Sequence, residues 1–118
     1  MGSFDVSKER AEYRLHLEQS LDGIVECLSR LPEVVRISVF GSYARGKADL
    51  FTDLDIIVVM NTDKSFLERQ RKIYDLAPAS VDIDILCYTP SEFEHMKSKP
   101  FLKRALQDEI VLYEKRST

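Results

Sequence analysis

The segment Leu54-Asp55-Ile56-Ile57-Val58-Val59-Met60 constrains the fold of this chain more than any other feature. After its aspartate it is an unbroken run of apolar side chains, mostly β-branched, and such a run favours a strand over a helix. A strand that is apolar on both sides is covered on both of its faces, as happens in a mixed α/β sheet. We therefore predict an α/β (α+β) fold in which helices flank a small mixed sheet.

The remaining segments supply the other elements of such a sheet. Apolar residues recur at three- and four-residue steps before Pro32, which indicates one long amphipathic helix that ends at this proline. Strands are predicted over residues 34–40, 54–60 and 81–88, and helices over 7–31, 65–77, 90–96 and 99–108. Residues 110–113 are predicted to form a short strand or a packed tail.

Length and composition favour a single domain. The chain has 118 residues, 44% of them hydrophobic, which is enough for one core. Its 17 basic and 20 acidic residues give a net charge of −3, so we expect no nucleic-acid partner. It shows no apolar run long enough to span a membrane and no stretch that resembles a signal peptide, so we expect a cytoplasmic protein that does not bind a membrane. Cys27 and Cys87 lack metal-site spacing and are predicted to be buried apolar thiols.

The loop that follows the first predicted strand resembles a phosphate-binding loop without completing one. Ala48 stands where that motif needs a hydroxyl group to hold Mg²⁺, and the chain is too short for the parallel sheet of such nucleotidases. We therefore reject that interpretation. The loop reads Gly41-Ser42-Tyr43-Ala44-Arg45-Gly46-Lys47-Ala48.

Two aspartates at the start of a strand predict a cation site. Asp53 and Asp55 are two positions apart, so their carboxylates leave one face, with Cα atoms about 6.5 to 7 Å apart. A third carboxylate on a neighbouring strand, Asp84 or Asp82, would complete a clamp for two Mg²⁺ ions. A solvated strand edge would explain an isolated pair, but like charges beside apolar neighbours are costly unless cations compensate them.

The residues of the loop have alternative roles. Backbone amides after Gly41 and the Ser42 hydroxyl group are placed to bind phosphates, although Ser42 could equally cap a helix over residues 43–47. Arg45 is either a phosphate ligand or the partner of a carboxylate. Tyr43 is expected to pack rather than to stack on a base.

Taken together, these motifs resemble a known family. Gly41-Ser42, followed after ten residues by Asp53-Leu54-Asp55, resembles the signature of the DNA polymerase β-like nucleotidyltransferase superfamily. The short length, Tyr88-Thr89-Pro90-Ser91-Glu92-Phe93 and Val111-Leu112-Tyr113-Glu114 resemble its minimal nucleotidyltransferases, over about residues 20–115. The resemblance implies one polymerase β-like palm domain over residues 1–118, with an N-terminal helix and a catalytic core over about 34–115.

The resemblance also implies a reaction and its residues. A nucleoside monophosphate, which we expect to be AMP from ATP, passes to a hydroxyl acceptor and pyrophosphate is released. Two Mg²⁺ ions, or Mn²⁺ in their place, are held by carboxylates, the third of which carries over to Asp84 rather than Asp82. The sequence departs from the family's pattern at Thr52 and at Asp108-Glu109. The implied catalytic and metal-binding residues are Asp53, Asp55 and Asp84, and the implied nucleotide-binding residues are Gly41, Ser42 and Arg45.

Partners follow from the same resemblance. Minimal members often act beside a separate HEPN-like or substrate-binding protein, and some such pairs are a toxin and an antitoxin that adds AMP to it. Three hypotheses stay open: a protein adenylyltransferase and antitoxin, a transferase for a small molecule such as an aminoglycoside, and a catalytically idle partner-binding module. Homo-oligomerisation is also open. Phe4, Val6 and Leu15 lie off the helical core stripe and are candidate contacts for a partner.

Overall fold

The computed structural model of the protein describes residues 6–47, 52–78 and 80–116. These residues form helices on both sides of a four-stranded sheet. In chain order the elements are α1 Val6–Ser29, β1 Val34–Phe40, α2 Gly41–Ala44, β2 Leu54–Met60, α3 Phe66–Leu76, β3 Ile83–Tyr88, α4 Pro90–Met96, α5 Pro100–Gln107 and β4 Ile110–Glu114.

The sheet is mixed, as predicted. Its strand order is β3-β2-β1-β4, with β1 antiparallel to both β2 and β4, and β2 parallel to β3. The C-terminal segment is therefore an edge strand rather than a packed tail. This arrangement differs from the parallel sheet of a phosphate-loop nucleotidase; Ala48 itself lies outside the described residues.

Strand β2 is buried on both faces, which confirms the interpretation of its apolar run. One face contributes Ile56, Val58 and Met60 to a core shared with α1 and α3. The other face contributes Ile57 and Val59 to a smaller core that contains Leu102 of α5. Asp55 shares this second face by alternation along the strand, so it points to the side of the sheet on which α5 lies.

The ends of the elements differ slightly from the prediction. Helix α1 ends at Ser29, because a turn precedes Pro32, and β3 begins only at Ile83. Helix α3 begins at Phe66, since the Ser65 hydroxyl group accepts a hydrogen bond from the Glu68 amide at 3.3 Å and caps the helix.

The two cysteines are free and occupy different environments. Cys87 is buried, and burial raises the pKa of its thiol to about 12, so the thiol stays protonated. Cys27 is only half-buried and donates a hydrogen bond to the Leu76 carbonyl at 3.2 Å, so its prediction as a fully buried thiol is wrong. Its position on the edge of the α1 core stripe leaves part of the sulfur facing solvent.

The outer edge of β3 is closed by side chains of α3. The Gln70 amide donates to the Ile85 carbonyl and accepts from the Cys87 amide, both at 2.7 Å. The Ile85 amide donates to the Tyr74 hydroxyl group at 2.8 Å. These bonds satisfy backbone groups that an edge strand would otherwise leave unpaired, and they hold the peptide next to Asp84 in place.

The N-terminal candidates for partner contacts are only partly covered by the structure. Leu15 on α1 is 53% exposed and is therefore free to make such a contact. Phe4 lies outside the described residues, as does the side chain of Val6. Among the described residues, none of the helices combines the length and apolar character needed to cross a membrane.

Candidate active site

The chain leaves β1 through a glycine whose conformation is required. Gly41 has φ +77°, a left-handed conformation that side chains of L-residues disfavour. A Cβ atom at this position would also overlap a carboxylate oxygen of Asp55. Glycine therefore serves two purposes here, since it permits the turn into α2 and lets the backbone approach a carboxylate of the neighbouring strand.

The two aspartates of the central strands lie side by side. In the parallel register of β2 and β3, Asp55 is directly opposite Asp84, so both side chains leave the same face of the sheet. Neighbouring strands are about 4.8 Å apart, which brings the two carboxylates within strong electrostatic reach. Burial raises the pKa of Asp55, the negative charges of Asp84 and Asp53 raise it further, and Arg45 partly offsets them.

The other two aspartates precede their strands by one residue. Asp53 is exposed just before β2, and Asp82 is exposed just before β3, where its carbonyl accepts a hydrogen bond from the Leu54 amide at 3.1 Å. Burial raises the pKa of the Tyr13 hydroxyl group, and Asp82 and then Asp53 raise it further. Asp82 and Asp53 are therefore both close enough to act on Tyr13, whereas the register places Asp84 opposite Asp55.

The donor set favours a hard cation. Within residues 6–47, 52–78 and 80–116, no three or more His, Cys, Asp or Glu side chains are arranged as around a metal ion. What the described residues offer is the carboxylate pair Asp55 and Asp84, with Asp53 close enough to raise the pKa of Asp55. A set of mutually repelling oxygen donors without nitrogen or sulfur fits Mg²⁺ or Mn²⁺.

Ser42 lies on the short helix α2, and Arg45 is the C-cap of this helix. Its N-cap is Phe40 and no side chain caps it, so the alternative prediction that Ser42 caps this segment is wrong. Instead, the Arg45 guanidinium donates to the Ser42 hydroxyl group at 3.5 Å. Another nitrogen of Arg45 lies 3.7 Å from an Asp108 carboxylate oxygen. Pairing with a carboxylate was one of the two roles that the sequence allowed for Arg45, and Asp108 is the carboxylate concerned. Tyr43 packs against the main core, as expected.

Two cavities meet at this end of the sheet. The larger, of about 610 Å³, is lined by Asp55 and Asp84. The smaller, of about 430 Å³, is lined by Gly41 and Arg45. Phe40 and Phe101 line both, with their rings edge to face at 6.2 Å and 89°. The geometry thus places a carboxylate pair and a basic loop on two sides of one aromatic pair.

Sequence reasoning missed the contributions of α3 and α5. Gln70 and Tyr74 act on the backbone of β3, and Phe101 reaches the cavities from a segment distant along the chain. No spacing or motif marks these residues, because their positions depend on tertiary contacts alone. Glu109, a departure from the family's pattern, forms a two-pronged ion pair with Arg36 and so fixes the connection between α5 and β4.

Comparison with solved structures shows that this fold occurs in other proteins. A crystal structure of a candidate nucleotidyltransferase from Sulfolobus solfataricus matches with a TM-score of 0.65 at 20% identity, covering 97% of this chain and 92% of that one. A crystal structure of a toxin–antitoxin with AMP-PNP matches with a TM-score of 0.55 at 20% identity, covering 84% and 74%. Both likenesses confirm the fold that the sequence resemblance implied.

Comparison of sequences identifies the family. A candidate protein adenylyltransferase of Methanocaldococcus jannaschii is 34% identical over 79 residues, which are 66% of this chain and 77% of the relative. The family model described as the nucleotidyltransferase domain matches residues 21–113, a range that contains Gly41, Asp55 and Asp84. The chain belongs to the nucleotidyltransferase domain family and is a nucleotidyltransferase.

Proposed function

We propose that this nucleotidyltransferase moves AMP from ATP to a hydroxyl group of a partner protein. The observation that carries the proposal is the register of the central strands, which places Asp55 opposite Asp84. The backbone at Gly41 lies so close to the Asp55 carboxylate that a Cβ atom would overlap it. A basic loop thereby adjoins a carboxylate pair, which is the arrangement that nucleotidyl transfer needs. The similarity to a candidate protein adenylyltransferase supports AMP as the group and a protein as the acceptor.

The proposed reaction exchanges one bond to phosphorus for another. The acceptor oxygen forms a bond to the α-phosphorus of ATP, and the bond from this phosphorus to the α,β-bridging oxygen breaks. Pyrophosphate leaves with the electron pair of the broken bond. A carboxylate oxygen of Asp84 accepts the proton of the acceptor hydroxyl group, since Asp84 is the more exposed of the two opposed carboxylates.

The carboxylates would hold the metal ions that the family implies. Asp53, Asp55 and Asp84 would bind two Mg²⁺ ions, which supply charge neutralisation for the triphosphate and polarise its phosphorus when they are bound. Without such ions, the negative charges of this cluster repel a triphosphate. We therefore expect ATP to bind only together with Mg²⁺ or Mn²⁺.

The loop after β1 would receive the phosphates. The left-handed turn at Gly41 brings the backbone close to the carboxylates, where its amides can approach a phosphate. Ser42 directly follows this glycine, and the Arg45 guanidinium, one turn further on, donates to its hydroxyl group. Arg45 is exposed and Ser42 is half-buried, and a phosphate oxygen would replace the contact between them.

We further propose that the acceptor is a toxin of the HEPN type and that this chain is its antitoxin. Support comes from the similar fold of the toxin–antitoxin structure with AMP-PNP. Addition of AMP to a hydroxyl side chain of the toxin places a bulky negative group on it, which is a direct way to block a functional site.

The test is transfer of a radiolabel to the neighbouring gene product. Incubation of the chain with labelled ATP, Mg²⁺ and the protein encoded next to it should label that protein on a hydroxyl side chain, which we expect to be Tyr. The transferase alone should stay unlabelled. The matched control is the double variant Asp53→Asn, Asp55→Asn, which should lose both metal-dependent ATP binding and labelling. Its melting temperature should be unchanged or higher, because repelling charges are removed.

Other outcomes would replace the proposal. Labelling of an aminoglycoside or another small alcohol, with the partner unlabelled, would establish a small-molecule transferase. Absence of labelling with tight partner binding would establish a catalytically idle binding module. If the double variant unfolds and ATP binding by the wild type does not depend on the metal ion, these aspartates have a structural role.

A further inference from the structure

The smaller cavity between α2 and α5 has the chemistry of a phosphate site. Arg45, the C-cap of α2, and Arg104 of α5 both line it, together with Gly41. We propose that this cavity binds the β- and γ-phosphates of the nucleotide, later the leaving pyrophosphate, and that Arg104 is a binding residue for them. The proposal rests on the proposed function and deepens it, because it assigns the part of the site that recognises the leaving group.

The distribution of charge separates the two cavities. Among the described residues that line them, the basic side chains are Arg45 and Arg104, and both belong to the smaller cavity, where they outnumber its one acidic side chain, Asp108. The opposed carboxylates Asp55 and Asp84 belong to the larger one. A nucleotide triphosphate is most negative at its terminal phosphates, so these phosphates are favoured on the basic side and disfavoured beside bare carboxylates.

The arginine on α5 is available for a ligand. Within the described part of the chain, no ion pair or hydrogen bond engages the Arg104 side chain, which is exposed at the cavity. By contrast, Arg36 is held by Glu109, and Arg69 is buried against Glu92 at 2.8 Å. A guanidinium presents paired donors that match phosphate oxygens, and Arg104 has these donors uncommitted.

The second arginine can be released from its present contacts. Arg45 lies 3.7 Å from Asp108, longer than a hydrogen bond, and both side chains are more than 40% exposed. A solvent-screened pair of this kind contributes little stability, so a phosphate can displace Asp108 at small cost. The cavity then offers two guanidinium groups to one anion, from the C-cap of α2 and from α5.

The placement also fits the geometry of transfer. Gly41 lines the smaller cavity, while its Cα faces the Asp55 carboxylate in the larger one, so a nucleotide can bridge the two at this residue. The α-phosphorus then lies near the carboxylates and the diphosphate tail lies towards α5. A volume of about 430 Å³ falls within the range of small-ligand sites.

The test compares neighbouring basic residues on α5. Arg104→Gln should weaken binding of the nonhydrolysable analogue AMP-PNP and of inorganic pyrophosphate, with Mg²⁺ present, by about ten- to a hundred-fold. Lys103→Gln removes one positive charge from the next position, outside the cavity lining, and should leave both affinities within about two-fold. Calorimetric titration measures these affinities without catalysis.

Two further measurements show whether Arg104 acts on the diphosphate tail of the nucleotide. Affinity for AMP, which lacks the diphosphate tail, should be the same in wild type and in Arg104→Gln. The KM for ATP should rise in Arg104→Gln while the KM for the acceptor is unchanged, and Arg104→Lys should restore part of the ATP affinity.

The outcomes separate this inference from the function on which it rests. Wild-type affinity of Arg104→Gln for both AMP-PNP and pyrophosphate would overturn the inference and leave nucleotidyl transfer intact. A rise in the acceptor KM alone would also overturn it, since the cavity would then hold the acceptor. Failure of the wild-type chain to bind AMP-PNP with Mg²⁺ would overturn the proposed function and the inference together.

Discussion

Replacing Asp84 by Ala should lower the rate of AMP transfer on the order of a hundred- to a thousand-fold, whereas replacing Asp82 by Ala should leave most of it. The two residues lie one pleat repeat apart on the same segment, and the structure separates their environments. Asp84 is opposite Asp55 and lines the larger cavity, while Asp82 precedes β3 and is not among the residues that line this cavity. Single-turnover measurements with a saturating acceptor report the chemical step directly.

The pair of variants also controls for folding. Both aspartates are exposed, so neither replacement removes buried packing, and urea unfolding should show free energies within about 0.5 kcal/mol of wild type. The reversed pattern of activities would move the third carboxylate to Asp82. Equal and modest losses in both variants would mean that neither side chain touches the reacting groups.

Replacing Gly41 by Ala should abolish most transfer, on the order of a hundred-fold or more, at a moderate cost in stability. The left-handed backbone disfavours alanine by about 1 to 2 kcal/mol, and the new Cβ overlaps the Asp55 carboxylate. That carboxylate must rotate away or shift, which misplaces it relative to Asp84. Transfer rate and free energy of unfolding are to be measured on the same preparation.

Gly46 provides a matched control for the backbone effect. It has φ +74°, almost the same conformation, but among the described residues the nearest neighbour of a Cβ there would be an Arg14 nitrogen at 3.7 Å, an ordinary contact. Gly46→Ala should therefore lose similar stability and retain most of its activity. Equal activity losses in the two variants would show that backbone strain, and not the contact with Asp55, explains the effect of Gly41→Ala.

Much of the fold was predictable because its strongest signals are local. The apolar run after Asp55 predicted a strand covered on both faces, and β2 is buried on both. Alternation along the strands also limited the third carboxylate to Asp82 or Asp84 before any register was known. The choice between them needs the pairing of β2 with β3, which places Asp84 opposite Asp55.

The parts that could not be predicted depend on tertiary contacts. The closure of the β3 edge by Gln70 and Tyr74 follows from how α3 packs, and helical periodicity says nothing of hydrogen bonds to a strand. Arg104 is likewise a candidate binding residue only because it lines the same cavity as Arg45, which the sequence does not show. The capping role of Ser42 is wrong because α2 begins two residues earlier than expected and so has Phe40 as its N-cap.

We expect the opposed carboxylates and the glycine turn to perform nucleotidyl transfer. Parallel incubations with ATP labelled at the α- or at the γ-phosphate, with Mg²⁺ and the neighbouring gene product or an aminoglycoside as acceptor, test it most directly. Label should enter the acceptor from α-labelled ATP only, and the γ-label should be recovered as pyrophosphate. Label in the acceptor from γ-labelled ATP, or release of the γ-label as inorganic phosphate without transfer, would contradict it.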